Sequence, residues 1–329
     1  VAARGWTMKR NSARNLQRHR RGFSTIRAAM KLKSKSDDEK LPVPPPTDSV
    51  AASEISLYRN VLKIKKDHDL EELGISFWDA QTTIQWSFNA DHYFHAASTM
   101  KLAVLLGVFR EIDRGTLALD SPVHVRNRFT SIVNREPFML DLGRDADPDV
   151  YGHLGKTLSV KELAYWMITK SSNLATNLLV DVIGIETIQF ALDELDIDGV
   201  RVLRGVEDQA AFAAGLNNEV TANGLLKMLR VIADGKAFSA EACKEMMEIM
   251  LDQQYRSGIP AGLPKAARVA HKTGNISTVH HDAGIVFLEG RKPYVLVILT
   301  QFGPGKARGT AVADVSRDIY NTLAGLTYE

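Results

Sequence analysis

Three short motifs place hydroxyl and amine groups in a fixed order along the chain: Ser98-Thr99-Met100-Lys101, Ser171-Ser172-Asn173 and Lys272-Thr273-Gly274. A serine hydroxyl beside an amine is what acyl transfer to serine needs, because the amine can take the hydroxyl proton. A Ser-x-x-Lys arises by chance roughly once in a chain of this length. The inference therefore rests on the conjunction of the three. Ser98 precedes the apolar run Leu102–Phe109 and marks a helix start, where unpaired backbone amides and the positive dipole end favour negative charge. Lys101 lies one turn on, on the same face, within reach of the Ser98 hydroxyl. Apolar neighbours and a second cation disfavour its ammonium form, leaving an amine able to ionise Ser98. Alone, the same four residues also read as a helix cap with a solvated lysine.

Ser171 and Asn173 fall in the break between two amphipathic stretches, Val160–Thr169 and Leu174–Ile183. A hydroxyl there can pass a proton from Lys101 towards a leaving nitrogen, and an amide can hold a substrate carbonyl. The plainer reading is a cap for the second helix. Lys272-Thr273-Gly274 ends a strand in which Lys272 shares a face with Gly274, whose missing side chain permits close backbone approach by a ligand. An ammonium and a hydroxyl together suit a substrate carboxylate. The amide of Asn275 can pair with that of Ser98 as an oxyanion hole, worth about 10²–10³ in rate per donor.

The elements that must position these groups run helix, strands, many helices, strands, helix. Ile55–Lys66 has helical spacing, and Leu73–Asp79 with Thr83–Phe88 reads as a strand pair around Ala80-Gln81-Thr82. Leu102–Phe109 is apolar all round, so it must be buried between layers. Val123 to Tyr151 is irregular and mixed in charge. Glu186–Asp193, Thr221–Ala233 and Ala240–Leu251 are further helices, with Asn218 or Thr221 available to cap the second. Ile259–Lys265 is a loop; Arg268–Thr273, Ala283–Leu288 and Tyr294–Gln301 are strands; Gly309–Leu323 is helical. Strands near both ends around a helical middle imply an α/β (α+β) fold. Its antiparallel sheet is flanked by helices (residues 50–122 and 265–329), with an inserted all-α lobe (123–264).

Bulk composition bounds the rest. The 329 residues carry a net +2, but residues 1–36 hold eleven Lys or Arg and no acid, leaving a net of −9 elsewhere. The acidic body disfavours nucleic-acid binding. The basic stretch reads as a transit-peptide-like segment, a surface-seeking arm, or upstream sequence ahead of a start at Met8 or Met30. It lacks the apolar core of a secretory signal, so the compartment stays open. Residues 37–49, with four prolines, read as a stiff linker, and 1–49 together are expected to be disordered. No stretch of about eighteen apolar residues is present. The single Cys243 excludes an internal disulfide and reads as buried filler. His280-His281-Asp282 invites a metal, but adjacent strand residues point to opposite faces. A histidine near the substrate carboxylate and a structural role remain. No metal or cofactor is expected, and a monomer is.

The ordered motif set resembles the penicillin-recognising serine enzymes, the class A β-lactamases in particular. Residues 167–179, around Ser171-Ser172-Asn173, are similar to that family's middle helix–loop–helix, and the resemblance covers roughly residues 50–327. It implies a β-lactamase/transpeptidase-like fold and a small-molecule β-lactam or peptidoglycan-like substrate. It further implies that Ser98 is acylated, Lys101 and Ser171 move protons, and Asn173 contacts the acyl amide. Lys272 and Thr273 would bind the carboxylate. The resemblance makes Glu207, in Leu203-Arg204-Gly205-Val206-Glu207-Asp208, the base for the deacylating water; an exposed loop acid or an Arg204 salt-bridge partner is the plainer reading. The sequence departs from the family at Ser172, where Asp is usual, at Asp208 and Ala211, where Pro and Asn are usual, and in a longer segment 126–151. A D-alanyl-D-alanine carboxypeptidase or esterase with the same nucleophile, or a penicillin-binding sensor that acylates and stops, are the competing functions.

Overall fold

In the computed structural model, which describes residues 49–306 and 309–325, alternation along the strands explains the layering. On β12 (Tyr294–Phe302), Leu296 and Ile298 pack into one apolar cluster while Val295, Val297 and Leu299 pack into another. A strand buried on both faces reads as a continuous apolar run, and β12 does. Its neighbours are β11 (Val279–Phe287), then β10 (Arg268–Ile276) at one edge, and on the other side β1 (Leu70–Asp79) and β2 (Gln85–Phe88). All pairings are antiparallel, β1 joining β12 with Ile75 opposite Ile298.

One face of the sheet is covered by α1 (Ser49–Asp67) and α9 (Ala311–Gly325), whose Leu57, Val61, Val312 and Val315 join the smaller cluster. The larger cluster holds α2 (Lys101–Asp113), α3 (Val160–Thr169), α4 (Asn173–Ile183), α5 (Ile185–Glu194), α7 (Ala222–Ala233) and α8 (Ala240–Leu251). Between α5 and α7 lies the five-residue α6 (Gln209–Ala213). Every residue from Lys101 to Phe109 is buried, so α2 runs through the centre, as its all-round apolarity requires.

Most elements follow the periodicity, with differences at the ends. Ser98 caps nothing: a 3-10 turn, Ala97–Met100, precedes α2. Thr221, not Asn218, caps α7 by accepting from Gly224 N. Cys243 is buried on α8. The short strands β3 (Phe94–His95), β8 (Val200–Arg201) and β9 (Glu219–Val220) form a small sheet that two-residue patterns could not announce. The irregular excursion carries β4 (Pro122–His124), β5 (Phe129–Thr130) and β6 (Pro137–Phe138), and β4 pairs with β7 (Thr157–Ser159) beyond it. The basic stretch and the Pro-rich linker lie outside the described residues. Among the described residues, no single helix is long and apolar enough to cross a membrane.

Candidate active site

Seven of the nine residues singled out from sequence line one cleft of about 490 Å³: Ser98, Lys101, Ser171, Asn173, Glu207, Thr273 and Asn275. The other two, Lys272 and Gly274, are not among the lining residues, but Lys272 Nζ reaches the cleft-lining Ser171 hydroxyl. The cleft opens where the edge strand β10, the Ser98 turn, the break between α3 and α4, and the loop at 203–213 meet.

Burial dominates its electrostatics. Lys101 Nζ donates to Ser171 O at 2.6 Å, Ser171 Oγ at 3.2 Å and Asn173 Oδ1 at 2.9 Å. Burial pushes its pKa down to about 7, against the opposing pull of Asp145 and then Glu207. As a free amine Lys101 keeps two donors, which Ser171 O and Asn173 Oδ1 occupy, and its lone pair is left for a hydroxyl. The Ser98 hydroxyl makes no hydrogen bond among the described residues, although the sequence placed it within reach of Lys101. Catalytic hydrogen bonds commonly tighten only when substrate is bound. Lys272 Nζ donates to the same Ser171 Oγ at 3.1 Å and to Thr273 O at 2.9 Å. Burial and then Lys101 hold its pKa well below the lysine range, while Asp282 opposes them.

Gly274 serves a purpose other than ligand access. A Cβ there would lie 3.0 Å from Thr99 Cγ2 and 3.2 Å from Ala96 O, so the bare α-carbon lets β10 lie against the turn that carries Ser98. Strain gathers here as well. Ala97, Ser171 and Glu207 adopt left-handed φ values of 45°, 61° and 62°, each costing on the order of 1–3 kcal/mol. Such residues persist where the surroundings over-determine them.

For Glu207 the surroundings are specific. Its Oε1 accepts from Asn173 Nδ2 at 3.3 Å and its Oε2 from Asp141 N at 3.1 Å. Asn177 holds Val206 through both backbone groups, at 2.7 and 2.9 Å. Asp208, on the other side, caps α6 through Ala211 N and accepts from Ser131 Oγ and Ile132 N. The loop is thus tied to α4 and to the long excursion. Glu207 makes no ion pair with Arg204, whose Nη1 donates to Gly205 O instead.

Sequence reasoning missed Asp145. Its oxygens accept from Asn173 N at 2.8 Å and Leu174 N at 2.9 Å, the first amides of α4. Ser172 supplies only the neutral cap, accepting from Ala175 N. A carboxylate at a helix N-terminus is favoured by the dipole, so the charge that Ser172 lacks is delivered from the excursion. Nothing local to 145 announces this, because the partners lie 28 residues away. The two histidines divide as strand alternation demands. His281 is structural: its Nε2 meets His95 O, Thr300 N donates to its Nδ1, and burial pushes its pKa down to about 3. His280 lines the cleft.

Comparison with known proteins fits this geometry. The model of the beta-lactamase enzyme family matches residues 56–323. A beta-lactamase of Bacteroides uniformis is 25% identical over 295 residues, covering 83% of this chain and 94% of that protein. A beta-lactamase structure from Xanthomonas campestris pv. campestris superposes with a TM-score of 0.72 at 23% identity, covering 82% of this chain and 98% of that one. A mutant of PBP-A, solved as its acyl-enzyme complex with penicillin G, gives a TM-score of 0.70 at 24% identity, covering 86% and 100%. With a family model spanning most of its length and the fold of its solved members, the chain belongs to the beta-lactamase enzyme family.

Proposed function

We propose that this protein is a serine β-lactamase that opens the cyclic amide through an acyl-Ser98 intermediate and then hydrolyses it. The observation that carries this reading is the fully buried Lys101 amine, which shares one cleft with the Ser98 hydroxyl and the Glu207 carboxylate. Lys101 takes the hydroxyl proton as Ser98 Oγ attacks the lactam carbon. The backbone amides of Ser98 and Asn275 receive the developing oxyanion. The proton passes through Ser171 to the ring nitrogen as the C–N bond breaks. Glu207 then draws a proton from a water that attacks the ester carbon, and as the ester C–O bond breaks that proton is returned to Ser98 Oγ, leaving Glu207 ionised again. Asn173 holds the acyl amide, and Thr273 with Lys272 takes the substrate carboxylate. The seating of Glu207 in the cleft favours hydrolysis over a sensor that stops at the acyl-enzyme.

The pH dependence follows from Lys101. Below its pKa of about 7 the group is mostly ammonium and cannot accept a proton; above, it is mostly amine. The pre-steady-state acylation rate is therefore expected to rise as pH passes upward through about 7. Asp145→Asn removes the stronger of the two attractions that favour the ammonium. Its rise should shift to lower pH, whereas a shift to higher pH would rule out Asp145 as the residue that tunes Lys101.

Lys272→Ala is expected chiefly to raise KM, by about 10-fold or more for loss of a charge-assisted bond. Steady-state kinetics with a penicillin decide this, and a fall in kcat with unchanged KM contradicts the carboxylate role.

A further inference from the structure

The reaction leaves Arg204 unused. It is only 8% exposed, yet it lines the cleft together with Ser98, from the loop at 203–213. Among the described residues its guanidinium makes one hydrogen bond, from Nη1 to Gly205 O at 3.0 Å. Nε is buried without a partner, and Phe212 contributes only a ring 5.4 Å from Cζ. The acid that acts on it is Asp208, but those carboxylate oxygens are engaged by Ser131, Ile132 and Ala211. The side chain against its backbone is the neutral Asn218, which accepts from Leu203 N and Arg204 N and donates to Arg204 O. A buried cation whose nearest carboxylate is already engaged elsewhere is stabilised by a further anion that reaches it. Arginine remains protonated in such a place, and its planar fork matches a carboxylate.

The carboxylate common to β-lactam rings is assigned to Thr273 and Lys272 on β10, so a second anionic group would be the one to meet Arg204. We propose that Arg204 forms an anion-binding subsite on the loop wall, and that the protein prefers β-lactams whose acyl side chain carries a carboxylate. The inference rests on the β-lactamase reading and names the substrate class of that site. Arg144, the other arginine of the cleft, faces solvent and pairs with Asp141 at 3.6 Å.

Three penicillins that differ only at the side-chain α-carbon test it: benzylpenicillin with hydrogen, carboxybenzylpenicillin with carboxylate, and aminobenzylpenicillin with ammonium. The expected order of kcat/KM is carboxylate, hydrogen, ammonium, with a step of about tenfold between the first two, as for a charge-assisted bond. Arg204→Gln should bring the ratio of the first two close to one, and Arg144→Gln should retain the preference. Because the readout is a ratio, a general loss of activity in the variant does not mimic the effect. Should Arg204→Gln fold poorly, the wild-type order still decides: equal kcat/KM for the three overturns the subsite. Equal hydrolysis of all three defeats the Arg204 inference alone, whereas failure of every penicillin to acylate Ser98 defeats the β-lactamase reading with it.

Discussion

Ser98→Ala is expected to abolish covalent labelling by a fluorescent penicillin and to lower hydrolysis on the order of 10⁶-fold, the scale of loss when a serine-hydrolase nucleophile is removed. The fold should survive the change. The Ser98 side chain is only partly buried and makes no hydrogen bond among the described residues, so removing one oxygen leaves nothing unsatisfied. The thermal midpoint is therefore expected to stay within a few degrees of wild type. That pairing of an intact melt with a silent gel separates chemistry from stability. Labelling that persists would move the nucleophile elsewhere, and Ser171, between two buried lysine amines, is where it would be sought.

The second large effect belongs to Glu207. Glu207→Gln should slow deacylation by about 10²–10⁴, the usual worth of a general base, so that the acyl-enzyme accumulates. Acylation is expected to hold, for an electrostatic reason. Glu207 favours the ammonium form of Lys101, and its neutralisation leaves Lys101 more fully an amine. A burst of ring opening followed by a near-stationary phase, read by stopped flow, is the predicted signature. Unchanged deacylation would assign the water to another group. The substitution also sets an amide nitrogen against the donors Asn173 Nδ2 or Asp141 N, so a small loss of stability accompanies it.

These two residues differ in how they were legible. Ser98 and Lys101 are joined by helical spacing, and a four-residue motif carries the whole relationship. The central helix and the sheet were equally readable, because α2 and β12 are apolar on every face and can only be buried. Glu207 was placed by resemblance, since its seat depends on contacts from Asn173 and Asp141, 34 and 66 residues away. Asp145 and Asp208 were beyond sequence reasoning for the same reason. Asp145 accepts the amides of Asn173 and Leu174, and Asp208 the Ser131 hydroxyl and the Ile132 amide, from distant segments whose meeting no local pattern encodes. Ser172 and Asp208 are two of the positions where the sequence departs from the family. In three dimensions the excursion compensates: Asp145 returns a carboxylate to the start of α4, and Ser131 and Ile132 anchor the loop through Asp208. Gly274 was read as space for a ligand, and proved to be space for Thr99 and the Ala96 carbonyl. A glycine announces a close approach without naming what approaches.

Deep in this molecule sits an amine stripped of its hydration, poised to free an alkoxide for one attack and one release. Quenched-flow intact-protein mass spectrometry with benzylpenicillin, followed by peptide mapping, watches both events at once. A single adduct that appears on the peptide containing Ser98 and then decays is the predicted course. An adduct mapped to any other residue, or product formed with no adduct in Glu207→Gln, would contradict it.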